Sequence, residues 1–260
     1  MPDRARPGRW YSPQRMQSER VTNRAPASAF RLARHTRSYY LDLVFGRTLP
    51  ALFFSVFIVY KLILLWESFA PIAHHGADAT RLIYALNQAL GLAYFTLLAV
   101  MYGSRLPKRG GLKRVETTLA AFWGTFSILL ASFLPVVPVR AQIASIADIM
   151  IAGGLAYTIW GLAYLRRSFS IMPEARRLVT GGPYALSRHP LYFGEAVAAV
   201  GIVLPNGGGW AVVLILFYLV AQYLRIRWEE QVLLEQFPNS YAKYRRCVPK
   251  YLPRPWRLFR

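Results

Sequence analysis

The stretch LYFGEAVAAVGIVLPNGGGWAVVLILFYLVAQYL, Leu191 to Leu224, decides how this chain folds. It is two apolar runs, Leu191–Leu204 and Trp210–Leu224, broken by Pro205-Asn206-Gly207-Gly208-Gly209. Proline cannot continue a helix and glycine accepts positive φ, so the break predicts a turn between antiparallel helices. Four further apolar segments precede it: Leu49–Trp66, Ile83–Met101, Thr117–Val136 and Ile143–Leu165. Each approaches the ~20 residues that carry a helix across ~30 Å of hydrocarbon. Only 17% of the 260 residues are charged, against about 25% in a soluble domain. The pattern predicts an all-α polytopic membrane protein with about six transmembrane helices, and it excludes an ordinary soluble domain.

Charge sets the expected orientation. Of 32 Lys and Arg, 29 fall in residues 1–47, 102–116, 166–190 and 225–260; Arg81 and Arg140 lie in or beside the alternate loops, and Lys61 within the first span. Under the positive-inside rule this predicts six crossings with both termini cytoplasmic. Lys61 is expected to snorkel toward the interface. The formal charge of +20 points to anionic membrane lipids as neighbours rather than nucleic acid. Ten arginines in residues 1–47 without an apolar core exclude a secretory signal there. That stretch is expected to be a basic cytoplasmic segment, partly disordered, with a surface amphipathic helix near Ala29–Phe45. Residues 48–165 would hold the first four spans. Residues 166–260 would hold a helical hairpin over 190–225 and a basic cytoplasmic tail. One cysteine (Cys247) and four histidines leave no disulfide framework and predict no metal site. No obligate protein partner is evident.

Polar residues gather at two places, both expected on the cytoplasmic side. In Arg176-Arg177-Leu178-Val179-Thr180-Gly181-Gly182-Pro183-Tyr184 the Gly-Gly-Pro-Tyr portion reads as a tight turn. In Arg188-His189-Pro190-Leu191-Tyr192 the proline suits the first position of a helix. The unpaired N–H groups of such a start, flanked by Arg188 and His189, can seat a carboxylate or phosphate. At the end of the last long helix, Arg225 and Glu229 are spaced i, i+4 and share a side. The joining turn is short, so the two places converge on one pocket. Taken singly, each feature has a plain structural meaning: a surface ion pair, a capping histidine, a turn. Their co-location is what points to a site.

These residues resemble a known family. Leu178-Val179-Thr180-x-Gly182-Pro183-Tyr184, then Arg188-His189-Pro190-Leu191-Tyr192-Phe193-Gly194, then Glu229-Glu230, and Phe237-x-x-x-Tyr241-x-x-Tyr244-x-x-x-Val248-Pro249 are similar to the isoprenylcysteine carboxyl methyltransferases. The wider group includes related phospholipid N-methyltransferases. The resemblance covers roughly residues 160–255. It implies an integral-membrane enzyme, here of the bacterial inner membrane, with residues 166–260 as a cytoplasmic catalytic region using S-adenosyl-L-methionine. By match to the family's motifs, Arg176, Arg177, Leu178, Val179, Tyr184, His189, Pro190, Leu191, Tyr192 and Glu229 would bind the cofactor. Arg225 would bind the substrate carboxylate, and Arg225 and Glu229 would be the catalytic pair. The expected reaction moves a methyl group to a carboxylate, or another polar head, of a lipophilic small molecule or lipid. A carboxylate is already ionised at neutral pH and needs no base; an amine acceptor would need one, with Glu230 or Glu195 the candidates. The alternatives are a phospholipid N-methyltransferase and a non-catalytic membrane protein that binds lipid or a partner.

Overall fold

The computed structural model describes residues 44, 48–104, 110–111, 115–133, 139–170, 174–206 and 208–254. The chain divides into two units, Met1–Gly46 and Arg47–Arg260, and the helical bundle belongs to the second. The basic segment expected over 1–47 lies outside the described residues apart from Val44.

Helices dominate. They are α1 (Leu49–His75), α2 (Ala79–Ser104), α3 (Val115–Phe126), α4 (Ala141–Leu165), α5 (Pro183–Leu186), α6 (Pro190–Val203), α7 (Gly209–Gln236) and α8 (Pro238–Cys247). Among the described residues the all-α expectation gives way only at β1 (Gly110–Gly111) and β2 (Glu174–Ala175), which pair antiparallel. That small ladder ties the α2–α3 connection to the segment that follows α4.

Among the described residues four helices are long and apolar enough to cross a membrane: α1, α2, α4 with its 3-10 extension to Ser168, and α7. The other two expected spans differ. Thr117–Val136 is α-helical only to Phe126 and continues as a 3-10 helix over Ser127–Phe133. α6 has 14 residues, about 21 Å of rise, short of the ~30 Å hydrocarbon thickness. α7 instead has 28 residues, about 42 Å, longer than that thickness, with its charged residues Arg225, Arg227, Glu229, Glu230 and Glu235 all in its C-terminal part.

Apolar side chains face outward over much of the surface. Trp66 and Trp210 are 78% and 76% exposed, with Val56, Leu52 and Val220 similarly open. In water so large an apolar surface would associate; in lipid it is the solvated face. The interior at one end of the bundle is aromatic, with Phe54, Phe95 and Tyr102 in ring contact and Tyr102 edge-on to Phe169.

The expected hairpin is modified. α6 packs chiefly on α4, and α7 chiefly on α3. Small residues explain the first contact: a Cβ on Gly154 would lie 2.6 Å from both the Ala198 nitrogen and the Gly194 oxygen. Without side chains at Gly154 and Gly194 the two backbones touch, which is how helices associate in lipid. Lys61 has a partner on the neighbouring helix. Its Nζ donates to Gln88 Oε1 at 2.9 Å, so it links α1 to α2.

Candidate active site

The site grows from the start of α6. Gly182 takes φ of 60°, and a Cβ there would overlap the Tyr164 ring; only glycine fits both demands. The turn it makes launches the one-turn helix α5 and buries Tyr184. His189 then precedes Pro190, which opens α6 as expected.

The C-terminal tail holds this turn in place. Tyr244 donates its hydroxyl to the Tyr184 carbonyl at 2.6 Å. The Arg188 amide donates to Pro249 O at 2.9 Å, and Ser187 Oγ donates to Tyr251 O at 2.8 Å. The sequence motifs around Tyr184, His189 and Tyr241–Pro249 are therefore one physical unit. Burial pushes the Tyr184 phenol well above its ordinary pKa, and the Glu229 carboxylate adds to it. Burial, then the charge of Glu230, raise Tyr241 too.

Glu230 is the knot between α6, α7 and the tail. It receives Arg188 Nη1 at 2.5 Å and Lys250 Nζ at 3.4 Å, with His189 Nε2 at 3.2 Å. Three basic groups around one carboxylate make it a structural anchor, and it does not line the cavity. Of the two candidate bases only Glu195 remains at the wall.

Glu229, one residue earlier, faces the other way. It accepts the Tyr192 hydroxyl on Oε2 at 2.6 Å and lines the cavity. The Arg225 guanidinium sits 5.0 Å from the centre of the Tyr192 ring, a cation–π distance. Glu195 accepts from Tyr94 Oη at 3.1 Å and from Gln222 Nε2 at 3.0 Å.

The cavity takes in about 820 Å³ of atom-free space, part of it open to solvent. Of the residues expected from sequence, Arg176, Arg177, Leu178, Val179, Tyr184, His189, Leu191, Tyr192, Arg225 and Glu229 all line it. Pro190 does not; it is buried at the helix start and shapes the turn. His189 reaches the wall with Nε2 directed at Glu230. Sequence reasoning missed the contribution of the α4 end (Leu165, Ser168, Phe169), of Leu233, and of Tyr241 and Tyr244 as wall. It also missed Gln222, for which a signal existed: a polar residue three before Arg225 in an apolar helix.

The chemistry of this wall fits S-adenosylmethionine. That group presents a carboxylate, an ammonium, a sulfonium and an adenosine. The wall presents Arg176 and Arg177, Glu229, and the aromatic faces of Tyr184 and Tyr192 beside Leu178 and Val179. Among the described residues no cluster of three or more His, Cys, Asp or Glu could hold a metal ion.

Comparison with known proteins agrees with this chemistry. Residues 143–240 match the family model of phospholipid methyltransferase. The protein-S-isoprenylcysteine O-methyltransferase of Schizosaccharomyces pombe is 38% identical over 95 residues, 34% of this chain and 39% of that protein. The cobalt-zinc-cadmium resistance protein CzcN of Cupriavidus metallidurans is 36% identical over 78 residues, 30% of this chain and 36% of that protein. The nickel-cobalt-cadmium resistance protein NccN of Alcaligenes xylosoxydans xylosoxydans is 34% identical over 82 residues, 31% and 38%. The matches thus span less than two fifths of these relatives' own length. Over residues 143–240, which include Tyr184, His189, Tyr192, Arg225 and Glu229, this chain is similar to membrane methyltransferases of the phospholipid methyltransferase type.

Proposed function

We propose that this protein is an integral-membrane, S-adenosylmethionine-dependent methyltransferase that acts on the polar head of a lipophilic acceptor. One observation carries the reading: Arg176, Tyr192, Arg225 and Glu229, from three separate stretches of chain, line one cavity at the end of an apolar helix bundle. In this reading the chain crosses a bacterial inner membrane six times, with both termini and the site on the cytoplasmic side, and its basic segments lie against anionic lipids.

Glu229 holds the cofactor ammonium, and the Tyr192 hydroxyl keeps that carboxylate aimed inward. Arg176, with the N-terminus of α6 beside His189, takes the cofactor carboxylate. Tyr184 and Tyr192 stack against the adenosine and the cation. When bound, the cofactor supplies an electrophilic methyl group. Arg225 orients an acceptor carboxylate toward it, and no general base is needed because that oxygen is already ionised. Positioning then accounts for most of the rate.

A nitrogen acceptor is the second reading. The Glu195 carboxylate in the cavity wall favours it, since an ammonium head must lose a proton before attack. Lipid extracts separate the two: a methyl ester on an acid-bearing acceptor, or mono-, di- and trimethylated ethanolamine headgroups.

The test is methyl transfer from radiolabelled cofactor into a lipid-extractable product by the protein in nanodiscs. Glu229→Ala should abolish cofactor binding without loss of folded protein. Wild-type affinity in that variant would show the site to be wrongly assigned.

A further inference from the structure

Gln222 is 3% exposed, stands behind the cavity wall, and uses both ends of its amide. Its Oε1 accepts from Arg225 Nη1 at 2.6 Å, and its Nε2 donates to Glu195 Oε2 at 3.0 Å and to Tyr218 Oη at 2.7 Å. Glu195 is held in turn from α2 by the Tyr94 hydroxyl. An amide between a guanidinium and a carboxylate has one favourable orientation, with its carbonyl toward the cation and its N–H toward the anion. Arg225 also lies against Gly124 of α3. A Cβ there would fall 2.6 Å from Arg225 Cδ and 2.9 Å from Gln222 Oε1.

We propose that Gln222 and Glu195 are positioning residues that fix the Arg225 guanidinium for the acceptor head group, and that the absent side chain of Gly124 makes the room it occupies. This rests on the methyltransferase reading and adds to it the parts that determine acceptor recognition. Polar side chains chained across three helices inside an apolar bundle are costly. Tyr94, Tyr218 and Gln222 stand behind the wall that Arg225 and Glu195 line, so their cost is not repaid by direct contact with a ligand in the cavity. A guanidinium held by Gln222, the Tyr192 face and the Gly124 backbone keeps one orientation toward the cavity. A carboxylate or a phosphate-bearing head can then be held with its nucleophile on line.

The two variants that test this leave the cavity wall's own residues in place. Gln222→Leu removes the link from Arg225 to Glu195. Gly124→Ala keeps every polar group, but its methyl meets the movable ends of Arg225 and Gln222 and displaces them. With S-farnesyl-N-acetylcysteine and phosphatidylethanolamine vesicles as acceptor probes, the one that wild type methylates is carried forward. Both variants are expected to raise its KM, and its Kd for the protein saturated with S-adenosylhomocysteine, by roughly tenfold or more. The Kd of S-adenosylhomocysteine itself should stay within about twofold of wild type, since the cofactor groups are untouched. Unchanged acceptor KM and Kd in both variants overturn the proposal, as does a parallel loss of cofactor affinity, which is the mark of a merely structural role. If wild type binds S-adenosylhomocysteine but methylates neither probe, the acceptor chemistry is wrong and the proposal falls with it. If wild type does not bind S-adenosylhomocysteine, the methyltransferase reading itself fails.

Discussion

The Tyr192 hydroxyl meets Glu229 Oε2 at 2.6 Å, joining the first turn of α6 to a point two turns before the end of α7. The pair closes the cavity wall between two helices that pack chiefly on different neighbours. Tyr192→Phe removes the donor and leaves the carboxylate free to turn. A hydrogen bond to a charged group is worth about 1.5–3 kcal/mol, so S-adenosylhomocysteine should bind roughly tenfold or more weakly by titration calorimetry in nanodiscs. Unchanged affinity would mean that Glu229 needs no such support.

Glu230 differs sharply from its neighbour. With Arg188, His189 and Lys250 all directed at it, Glu230→Gln leaves like charges crowded together at the start of α6. Losing one member of such a buried group costs about 3 kcal/mol or more. The expected result is a clearly lower denaturation midpoint, and weaker cofactor binding only as a consequence. Loss of binding with full stability would instead make Glu230 a ligand.

The α4–α6 contact is backbone against backbone. In Gly154→Ala the new methyl meets the Ala198 nitrogen and the Gly194 oxygen, neither of which can swing aside. The helices must separate, at a cost of about 1–3 kcal/mol. Gly153, one residue away, has open space around its Cβ position, so Gly153→Ala should be neutral in the same unfolding assay. Equal effects in the two variants would contradict the packing described here.

Alkaline pH offers a further check. Tyr184 and Tyr241 both have pKa values raised in the folded protein, so the folded state binds their protons more tightly than the unfolded one does. Their contribution is complete below the unfolded value of about 10 and is lost as pH climbs beyond it. Unfolding free energy should therefore be insensitive to these groups between about pH 6 and 9, on the scale of ~0.5 kcal/mol. A decline in that window that disappears in Tyr184→Phe would show the phenol to be ionising there.

Much of this was legible in the residues. The Pro205–Gly209 break and the apolar run lengths located α6 and α7, and the Arg188-His189-Pro190 triplet marked the helix start to the residue. Ten of the eleven site residues that the family resemblance implies line the cavity. Thr117–Val136 was harder: hydropathy counts apolar residues and is blind to the change from α to 3-10 hydrogen bonding at Ser127. The α4–α6 contact rested on Gly154 and Gly194, which look like weak helix formers until the facing helix is known. Gly124 is a position whose meaning exists only in three dimensions, whereas Gln222 carried a signal in its polarity within an apolar helix. The identity of the acceptor leaves the lightest imprint on sequence, since Arg225 and Glu195 offer both signs of charge to one space.

In the methyltransferase reading this cavity grips S-adenosylmethionine by its amino-acid end. A structure of the protein bound to S-adenosylhomocysteine tests it most directly. The ligand's ammonium is expected within hydrogen-bonding distance, about 2.7–3.2 Å, of Glu229, with its sulfur facing the space between Arg225 and Glu195. Ligand density outside this cavity, or an ammonium paired with Glu230 instead, would contradict it.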